Sequence, residues 1–185
     1  MQIALKAANG FYLSAEGGGN AEGLVHAVGL AVGAWEIWDV QVVEGGIALR
    51  TVNGFYLCAE GGGGGAVHAN RLFPGPWEAF QVGGGLLLTG DVISLQTHDG
   101  VHYLCAELGD ADPIVTVTRT EVGEWEQFTV EVIGATIGLS RLYREGRRLV
   151  RADGTPYTLR GASAFRVPEL IATGREGEAV AYLAW

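Results

Sequence analysis

Short apolar segments, separated by glycine-rich loops, recur along the first 133 residues with a regular spacing. Residues 3–10 read IALKAANG, residues 47–54 read IALRTVNG, and residues 93–100 read ISLQTHDG. The second copy therefore begins 44 residues after the first, and the third begins 46 residues after the second. A period of this length indicates that one small structural unit is used three times.

Each copy carries the signals of four short β-strands. An Asn-Gly or Asp-Gly pair separates the first apolar segment from a second, aromatic one, which predicts a hairpin whose two turn residues both have positive φ. A glycine-rich loop then leads to a third strand that opens at Val25, Val67 or Val115. Ten residues after that valine, a Trp-Glu pair opens the fourth strand in every copy.

Three units of four strands predict an all-β fold of twelve strands. A propeller normally needs at least four blades, and a solenoid needs a polar-capped, atypical terminal repeat that this chain lacks. The strand count and period favour a β-trefoil, in which a barrel is capped by three hairpins around a pseudo-threefold axis. We assign it to residues 1–133, followed by a short C-terminal segment of hairpin, strand and helix at 134–185.

Composition and charge narrow the classes of partner. Hydrophobic residues make up 48% of the chain and charged residues 18%, which excludes a disordered protein. The net charge of −9 and the lack of a basic cluster in the first 140 residues argue against nucleic acid as a partner. No apolar run is long enough to span a membrane, and the first residues lack the basic start and apolar core of a signal peptide.

The two cysteines, Cys58 and Cys105, are too few for a disulfide scaffold, and the chain lacks the spacing of a zinc site. They occupy equivalent positions in different repeats, so we expect them to lie too far apart to form a disulfide bond. No cofactor or metal is expected. The chain is expected to be a monomer.

Alternation along the fourth strands assigns their side chains to two faces. Four are expected to point into the barrel: Phe80, Val82, Phe128 and Val130. The tryptophans of the three Trp-Glu pairs then point outward, at least partly toward solvent: Trp35, Trp77 and Trp125. They could instead cover the barrel bottom or pack under loops. If they are exposed, a flat indole beside a carboxylate is suited to sugars, because the ring stacks on a pyranose and the carboxylate binds hydroxyl groups.

These residues carry a family resemblance. Residues 53–80 combine Asn-Gly-Phe-Tyr-Leu-Cys-Ala-Glu, a glycine loop, Ala-Asn-Arg and Trp-Glu-x-Phe, and this pattern resembles the fascin-like β-trefoil repeat. Within that superfamily, single trefoils attached to bacterial polysaccharide-degrading enzymes bind carbohydrate, while actin-bundling members string several trefoils together. The resemblance to the first kind implies one sugar site at each Trp-Glu pair: Trp35-Glu36, Trp77-Glu78 and Trp125-Glu126. It also implies a secreted bacterial parent enzyme.

The polar residues around these pairs differ between copies. The second copy supplies Asn70 and Arg71, and the third supplies Arg119, as further sugar-binding candidates. The first copy has Val28 and Gly29 there, so its site is expected to be weak or inactive. Three further glutamates recur after the second strand and are expected to brace the glycine loops by accepting backbone N–H bonds: Glu16, Glu60 and Glu107. The recurring histidines, His26 and His68, are expected to be satisfied packing or surface residues.

The last fifty residues break the repeat and reverse the charge. Residues 1–133 contain four basic and sixteen acidic side chains, whereas residues 134–185 contain eight and five. Residues 148–151 and 157–160 flank a turn sequence, Ala-Asp-Gly-Thr-Pro, and are expected to pair as a hairpin, with a helix toward 175–185. This order resembles the entry to the (β/α)8 barrel of cellulase-like glycoside hydrolases. An alternative is a C-terminal extension packed on the trefoil.

Two classes of function follow. The first is a non-catalytic module that binds polysaccharide, with β-glucan as the expected ligand, and targets an attached glycoside hydrolase. The repeats contain no uniquely paired carboxylates, nucleophile motif, phosphate loop or metal-ligand spacing, so no catalysis is expected in residues 1–133. The second is a protein-interaction trefoil of the actin-bundling type, and its acidic surface would repel an acidic filament.

Overall fold

The computed structural model describes residues 1–85, 87, 89–109 and 112–133, together with the backbone of two short strands at 143–145 and 148–150. The chain divides into two compact units, Met1–Ile133 and Gly134–Trp185. The described part of the first unit contains β-strands and short 3-10 turns, with no α-helix.

The first unit contains twelve strands in three groups of four, one group for each sequence repeat. The first group comprises β1 (Gln2–Lys6), β2 (Tyr12–Ala15), β3 (Val25–Gly29) and β4 (Trp38–Val43). The second comprises β5 (Gly46–Arg50), β6 (Tyr56–Ala59), β7 (Val67–Arg71) and β8 (Gln81–Gly83). The third comprises β9 (Val92–Gln96), β10 (Tyr103–Ala106), β11 (Val115–Arg119) and β12 (Phe128–Ile133). The third strand of every repeat opens at the valine that the sequence predicts.

The first and fourth strands of the repeats close into a six-stranded antiparallel barrel. β1 pairs with β12 and β4, β4 pairs with β5, and β9 pairs with β8 and β12. The ring closes between β5 and the residue before β8, where Ile47 and Phe80 exchange two backbone hydrogen bonds of 2.9 and 2.8 Å. The second and third strands of each repeat form a hairpin: β2–β3, β6–β7 and β10–β11. A closed barrel with three hairpins is a β-trefoil, as predicted.

The core repeats in threes, as the pattern of apolar residues predicts. Each layer takes the same position from every repeat: Ile3, Ile47 and Ile93; Leu5, Leu49 and Leu95; Leu13, Leu57 and Leu104. Trp38, Phe80 and Phe128 fill the fourth-strand layer and are fully buried. The inward orientation expected of Phe80, Phe128 and Val130 is therefore confirmed, and Val82 packs against this core while partly buried.

Backbone hydrogen bonds tie the three hairpins together. The amide of the residue at the middle of each third strand donates to a carbonyl in the loop of the preceding repeat: Ala27 to Pro113, Ala69 to Gly23 and Val117 to Gly65, at 2.7–3.0 Å. Each glycine-rich loop is thereby anchored to its neighbour, which explains why the loops can be rich in glycine and still hold a defined shape.

The predicted two-residue hairpin turns are wrong in detail. In each repeat the glycine amide donates to a carbonyl three residues earlier, and only the glycine has positive φ: 84° at Gly10, 89° at Gly54 and 70° at Gly100. No other residue type in the described ranges has positive φ. The preceding Asn or Asp stays in the ordinary region, which makes each loop a turn followed by a left-handed glycine.

The second unit contains one described hairpin. β13 (Tyr143–Glu145) pairs with β14 (Arg148–Val150) in antiparallel register. The sequence instead predicts that 148–151 pairs with 157–160. The structure thus adds a strand at 143–145 that the sequence does not predict, while 157–160 and the helix expected at 175–185 lie outside the described residues, so the pairing of 148–151 with 157–160 stays a prediction.

Candidate functional site

The Trp-Glu pair of each repeat lies on a tight turn between the third and fourth strands. In repeats two and three this turn is a 3-10 turn, Pro76–Glu78 and Glu124–Glu126. The sequence places the pair at the start of the fourth strand, but β4, β8 and β12 begin three or four residues after the tryptophan. Because the tryptophan lies on the turn, the alternation of inward and outward side chains along the fourth strand does not determine its orientation.

The glutamate of each pair is buried and braces its own turn. Glu36, Glu78 and Glu126 are 9%, 5% and 5% exposed. In each, Oε2 accepts a hydrogen bond from the amide of the glycine three residues earlier, at 2.9 Å in repeat one and 2.7 Å in repeats two and three. The geometry gives these carboxylates a structural role. Their direct contact with a ligand, expected from the sequence, stays a prediction.

A buried thiol lies beside the glutamate in repeats two and three. Cys58 and Cys105 are fully buried free thiols, as predicted. Burial raises the pKa of both thiols, and hydrogen bonding with Glu78 and Glu126 raises it further. Both cysteines therefore stay protonated at neutral pH and add a second contact to each brace.

The three tryptophans are exposed to different extents. Trp35 is 50% exposed and Trp77 is 43% exposed, which confirms the outward orientation that the sequence predicts, and Trp125 is half-buried. Trp77 rests on the glycine loop of its own repeat, because a Cβ at Gly62 would lie 3.2 Å from its Cδ1 atom. In repeat three the guanidinium of Arg119 lies 5.8 Å from the centre of the Trp125 ring, within the range of a cation–π contact.

An ion pair in repeat two joins the residue that follows the second strand to the third strand, and both precede the Trp77 turn. Arg71 Nη2 lies 2.7 Å from Glu60 Oε2, and Arg71 Nη1 donates to Asn70 Oδ1 at 2.6 Å. The other oxygen of Glu60 contacts His68 Nδ1 at 3.0 Å. The two candidate residues Asn70 and Arg71 are thus joined in one network, which holds the guanidinium in a fixed position.

Repeat three contains the same arrangement with threonine in place of histidine. Arg119 Nη2 lies 2.7 Å from Glu107 Oε2, and Thr116 donates to Glu107 Oε1 at 2.9 Å. Burial alone would raise the pKa of Glu107, but the hydrogen bonds from Arg119 and Thr116 outweigh it and lower the pKa. Arg119, Trp125 and the loop 120–124 line an open cavity of about 560 Å³.

The role predicted for the second-strand glutamates is wrong. Glu60 and Glu107 hold arginine side chains through ion pairs, and Glu16 contacts His26 Nδ1 at 3.3 Å. The backbone brace is supplied by the glutamates of the Trp-Glu pairs instead. The recurring histidines are satisfied, as predicted, since His26 also contacts Asp112 at 2.9 Å.

Repeat one lacks the arginine. Gly29 occupies the position of Arg71 and Arg119, and a Cβ there would lie 2.7 Å from Glu36 Cγ. Glu36 therefore packs into space that only glycine leaves free, and repeat one has no arginine at this position to accompany Trp35. This difference is the one that the sequence predicts for the first site.

One exposed aromatic residue is absent from the sequence-based candidates. Phe73 is 82% exposed on the loop that precedes Trp77, and Leu72 beside it is 61% exposed. In the sequence, Phe73 could have been found from the segment Leu-Phe-Pro-Gly-Pro, because the equivalent loops of the other two repeats contain no aromatic residue.

The described residues contain neither a cluster of metal-ligating side chains nor a long apolar helix. No group of three or more His, Cys, Asp or Glu side chains among them is arranged to bind a metal ion. In the same ranges, no helix is both long and apolar enough to cross a membrane.

Comparison with solved structures identifies relatives of the fold. The designed three-fold symmetric protein ThreeFoil is 18% identical, with a TM-score of 0.59 over 71% of this chain and 99% of that chain. The Macrolepiota procera ricin B-like lectin, solved in complex with lactose, is 15% identical, with a TM-score of 0.57 over 72% of this chain and 96% of that one. Residues 1–133 form a β-trefoil. The trefoil also matches 32% of a GlcNAcα1-4Gal-releasing endo-β-galactosidase from Clostridium perfringens, at 11% identity and a TM-score of 0.56 over 72% of this chain.

Identities this low establish the fold alone. No protein-family model matches the chain, and no curated protein matches it either.

Proposed function

We propose that residues 1–133 form a non-catalytic carbohydrate-binding module for neutral polysaccharide, with β-glucan as the expected ligand. The observation that carries the proposal is the threefold presentation of a tryptophan on a braced turn. Two exposed indoles and a third, half-buried one stand at equivalent positions and expose apolar area that folding does not require. A flat indole with a polar neighbour is the arrangement that binds a sugar ring.

The polar neighbours support neutral rather than acidic sugars. In repeats two and three the guanidinium groups of Arg71 and Arg119 are each paired with a glutamate, so these arginines add no net positive charge to the proposed sites. The trefoil as a whole has four basic and sixteen acidic residues. A uronic acid or sulfated polymer would approach against this charge, whereas the N–H groups of a paired arginine still donate to neutral hydroxyl and ring oxygens.

The sites are expected to differ in strength. Repeats two and three combine a tryptophan with a fixed arginine, while repeat one offers Trp35 alone. We therefore propose that Trp77 and Trp125 carry the main sites, with Asn70, Arg71 and Arg119 as their hydrogen-bond donors and acceptors. Several weak sites on one rigid body gain avidity on a repeating polymer, because the second contact is intramolecular.

The proposed setting is an attached glycoside hydrolase. Two observations support it: the resemblance of 134–185 to the entry of a cellulase-like barrel, and the match of this trefoil to about a third of an endo-β-galactosidase. A module of this kind would hold the enzyme on its polymer.

Calorimetric titration with soluble β-glucans tests the proposal. Trp77→Ala and Trp125→Ala should each weaken binding at their own site by about 1–3 kcal/mol and leave the thermal melt nearly unchanged, because stacking area is lost but no core cavity forms. Trp35→Ala should have the smallest effect. A large loss of melting temperature with unchanged glucan binding would show that these residues serve packing only. Sedimentation with filamentous actin, run in parallel, should show no binding.

A further inference from the structure

The loop between β7 and the Trp77 turn presents a second aromatic ring. Phe73 is 82% exposed, the largest exposed fraction of any aromatic side chain among the exposed hydrophobics of the described chain. The equivalent loops of repeats one and three have the same length, and their residues at this position are Ala31 and Glu121. The aromatic residue is therefore not required by the fold.

The loop that carries Phe73 has a restricted backbone. Pro74 and Pro76 each fix their own φ, and the amide of Gly75 between them donates to Glu78 at 2.7 Å. Pro76 also begins the 3-10 turn that holds Trp77. Four residues span at most about 14 Å when fully extended, so the Cα atoms of Phe73 and Trp77 lie no farther apart than that. A restricted loop loses little conformational entropy when a ligand binds it.

We propose that Phe73 is a second stacking platform beside Trp77, so that the site of repeat two binds at least two successive rings of one neutral polysaccharide chain. The corresponding sites of repeats one and three lack this platform and bind a single ring. The inference rests on the proposed carbohydrate-binding function and specifies the ligand of one of its sites.

Three observations favour a sugar chain over a second copy of this protein. Leu72 and Phe73 are two exposed side chains on one short loop, and their apolar area is far smaller than the surface a stable dimer buries. Phe73 lies on the same loop as Trp77, four residues before it, and two residues after Arg71, which Asn70 and Glu60 hold. An aromatic ring can stack on the apolar face of a sugar while a nearby arginine donates hydrogen bonds to its hydroxyl groups.

The test uses the full chain in which Trp35 and Trp125 are both replaced by alanine, so that only the site of repeat two reports. Calorimetry is run with glucose and with β-linked gluco-oligosaccharides of two to four units. Phe73→Ala should weaken the tetrasaccharide on the order of fivefold to tenfold and leave glucose unchanged. Phe73→Tyr should restore the tetrasaccharide affinity because it keeps the ring. Leu72→Ala, which removes an exposed aliphatic neighbour, is the matched control and should change neither ligand.

The outcomes separate this inference from the proposed function. If Phe73→Ala leaves the tetrasaccharide affinity unchanged while Trp77→Ala abolishes it, the second platform is wrong and the carbohydrate site stands. If Trp77→Ala also has no effect, the proposed function fails. Sedimentation velocity tests the alternative that Phe73 binds a second copy of the protein. If the wild-type chain self-associates and Phe73→Ala abolishes this self-association without changing sugar binding, the inference is overturned. If the chain with Trp35 and Trp125 replaced by alanine is unstable, the same titrations are followed in a chain that keeps both tryptophans. The NMR chemical shifts of the Gly62 and Gly75 amides then report binding at the site of repeat two.

Discussion

Removal of the Glu78 carboxylate should loosen the turn that presents Trp77. The side chain is 5% exposed, and its Oε2 accepts the Gly75 amide at 2.7 Å. This bond satisfies the Gly75 amide at the entry of the turn. Pro76, the next residue, has no N–H that could replace it as a donor to Glu78. In Glu78→Ala the partly buried Gly75 amide loses a charged acceptor and Cys58 loses its partner. Loss of a hydrogen bond to a charged group costs about 1.5–3 kcal/mol.

The assay is denaturant and thermal unfolding of the full chain, paired with glucan titration. A loss of about 2–3 kcal/mol should lower the melting temperature by roughly 4–12 °C for a protein of this size. Glucan affinity at the Trp77 site should fall as well, since the indole loses its fixed position. Glu78→Gln retains a carbonyl that accepts the Gly75 amide, so it should cost clearly less. Glu124→Gln, an exposed carboxylate on the equivalent turn of repeat three, is the control and should leave stability unchanged.

Two results would refute this reasoning. Unchanged stability in Glu78→Ala would mean that the buried carboxylate does not brace the turn. Full stability in Glu78→Gln with complete loss of glucan binding would instead make Glu78 a direct sugar ligand, as the sequence-based hypothesis holds. If Glu78 braces the turn, its substitution lowers both the stability of the protein and its affinity for glucan. If Glu78 binds the sugar directly, its substitution lowers the glucan affinity alone.

The remaining predictions concern the thiols and pH. Burial and the adjacent carboxylates raise the pKa of Cys58 and Cys105, so a thiol reagent at mildly alkaline pH should find no reactive cysteine in the native chain and two in denaturant. A disulfide would instead leave none in denaturant. The folded-state pKa of Glu107 is lowered, so its contribution to stability is fully present above its unfolded pKa of about 4.3 and is lost as the pH falls through the folded value. The stability difference between wild type and Glu107→Gln should therefore be largest near neutral pH and shrink on acidification, and a constant difference would contradict the ion-pair account.

The architecture could be predicted because the fold repeats its requirements. Ile3, Ile47 and Ile93 occupy one core layer, so a single apolar pattern recurs at the period of the structural unit. The valines that begin the third strands are also buried and also recur at equivalent positions of the three repeats. A barrel core is filled by hydrophobic volume, and hydrophobic volume is what a sequence pattern displays most directly.

The roles of the glutamates could not be predicted because they depend on backbone direction. Glu78 and Glu60 both recur in every repeat and both follow an apolar segment, so their patterns are alike. The difference is that the turn aims the Gly75 amide inward at Glu78, while β7 places Arg71 beside Glu60. Which donor a carboxylate finds is decided by φ and ψ in the turn, and these angles leave no periodic signal in the sequence.

The three repeats separate what the fold requires from what a ligand would require. Every repeat keeps the buried glutamate that braces its turn, at positions 36, 78 and 126, and every repeat keeps the tryptophan beside it. The residues around the indole vary: glycine, arginine and arginine at positions 29, 71 and 119, and alanine, phenylalanine and glutamate at 31, 73 and 121. Under the proposed function, variation around this frame would give three sugar sites with different chemistry. A polymer with identical repeating units would then engage the three sites with unequal strength, and binding would start at the site that offers two rings and a paired arginine.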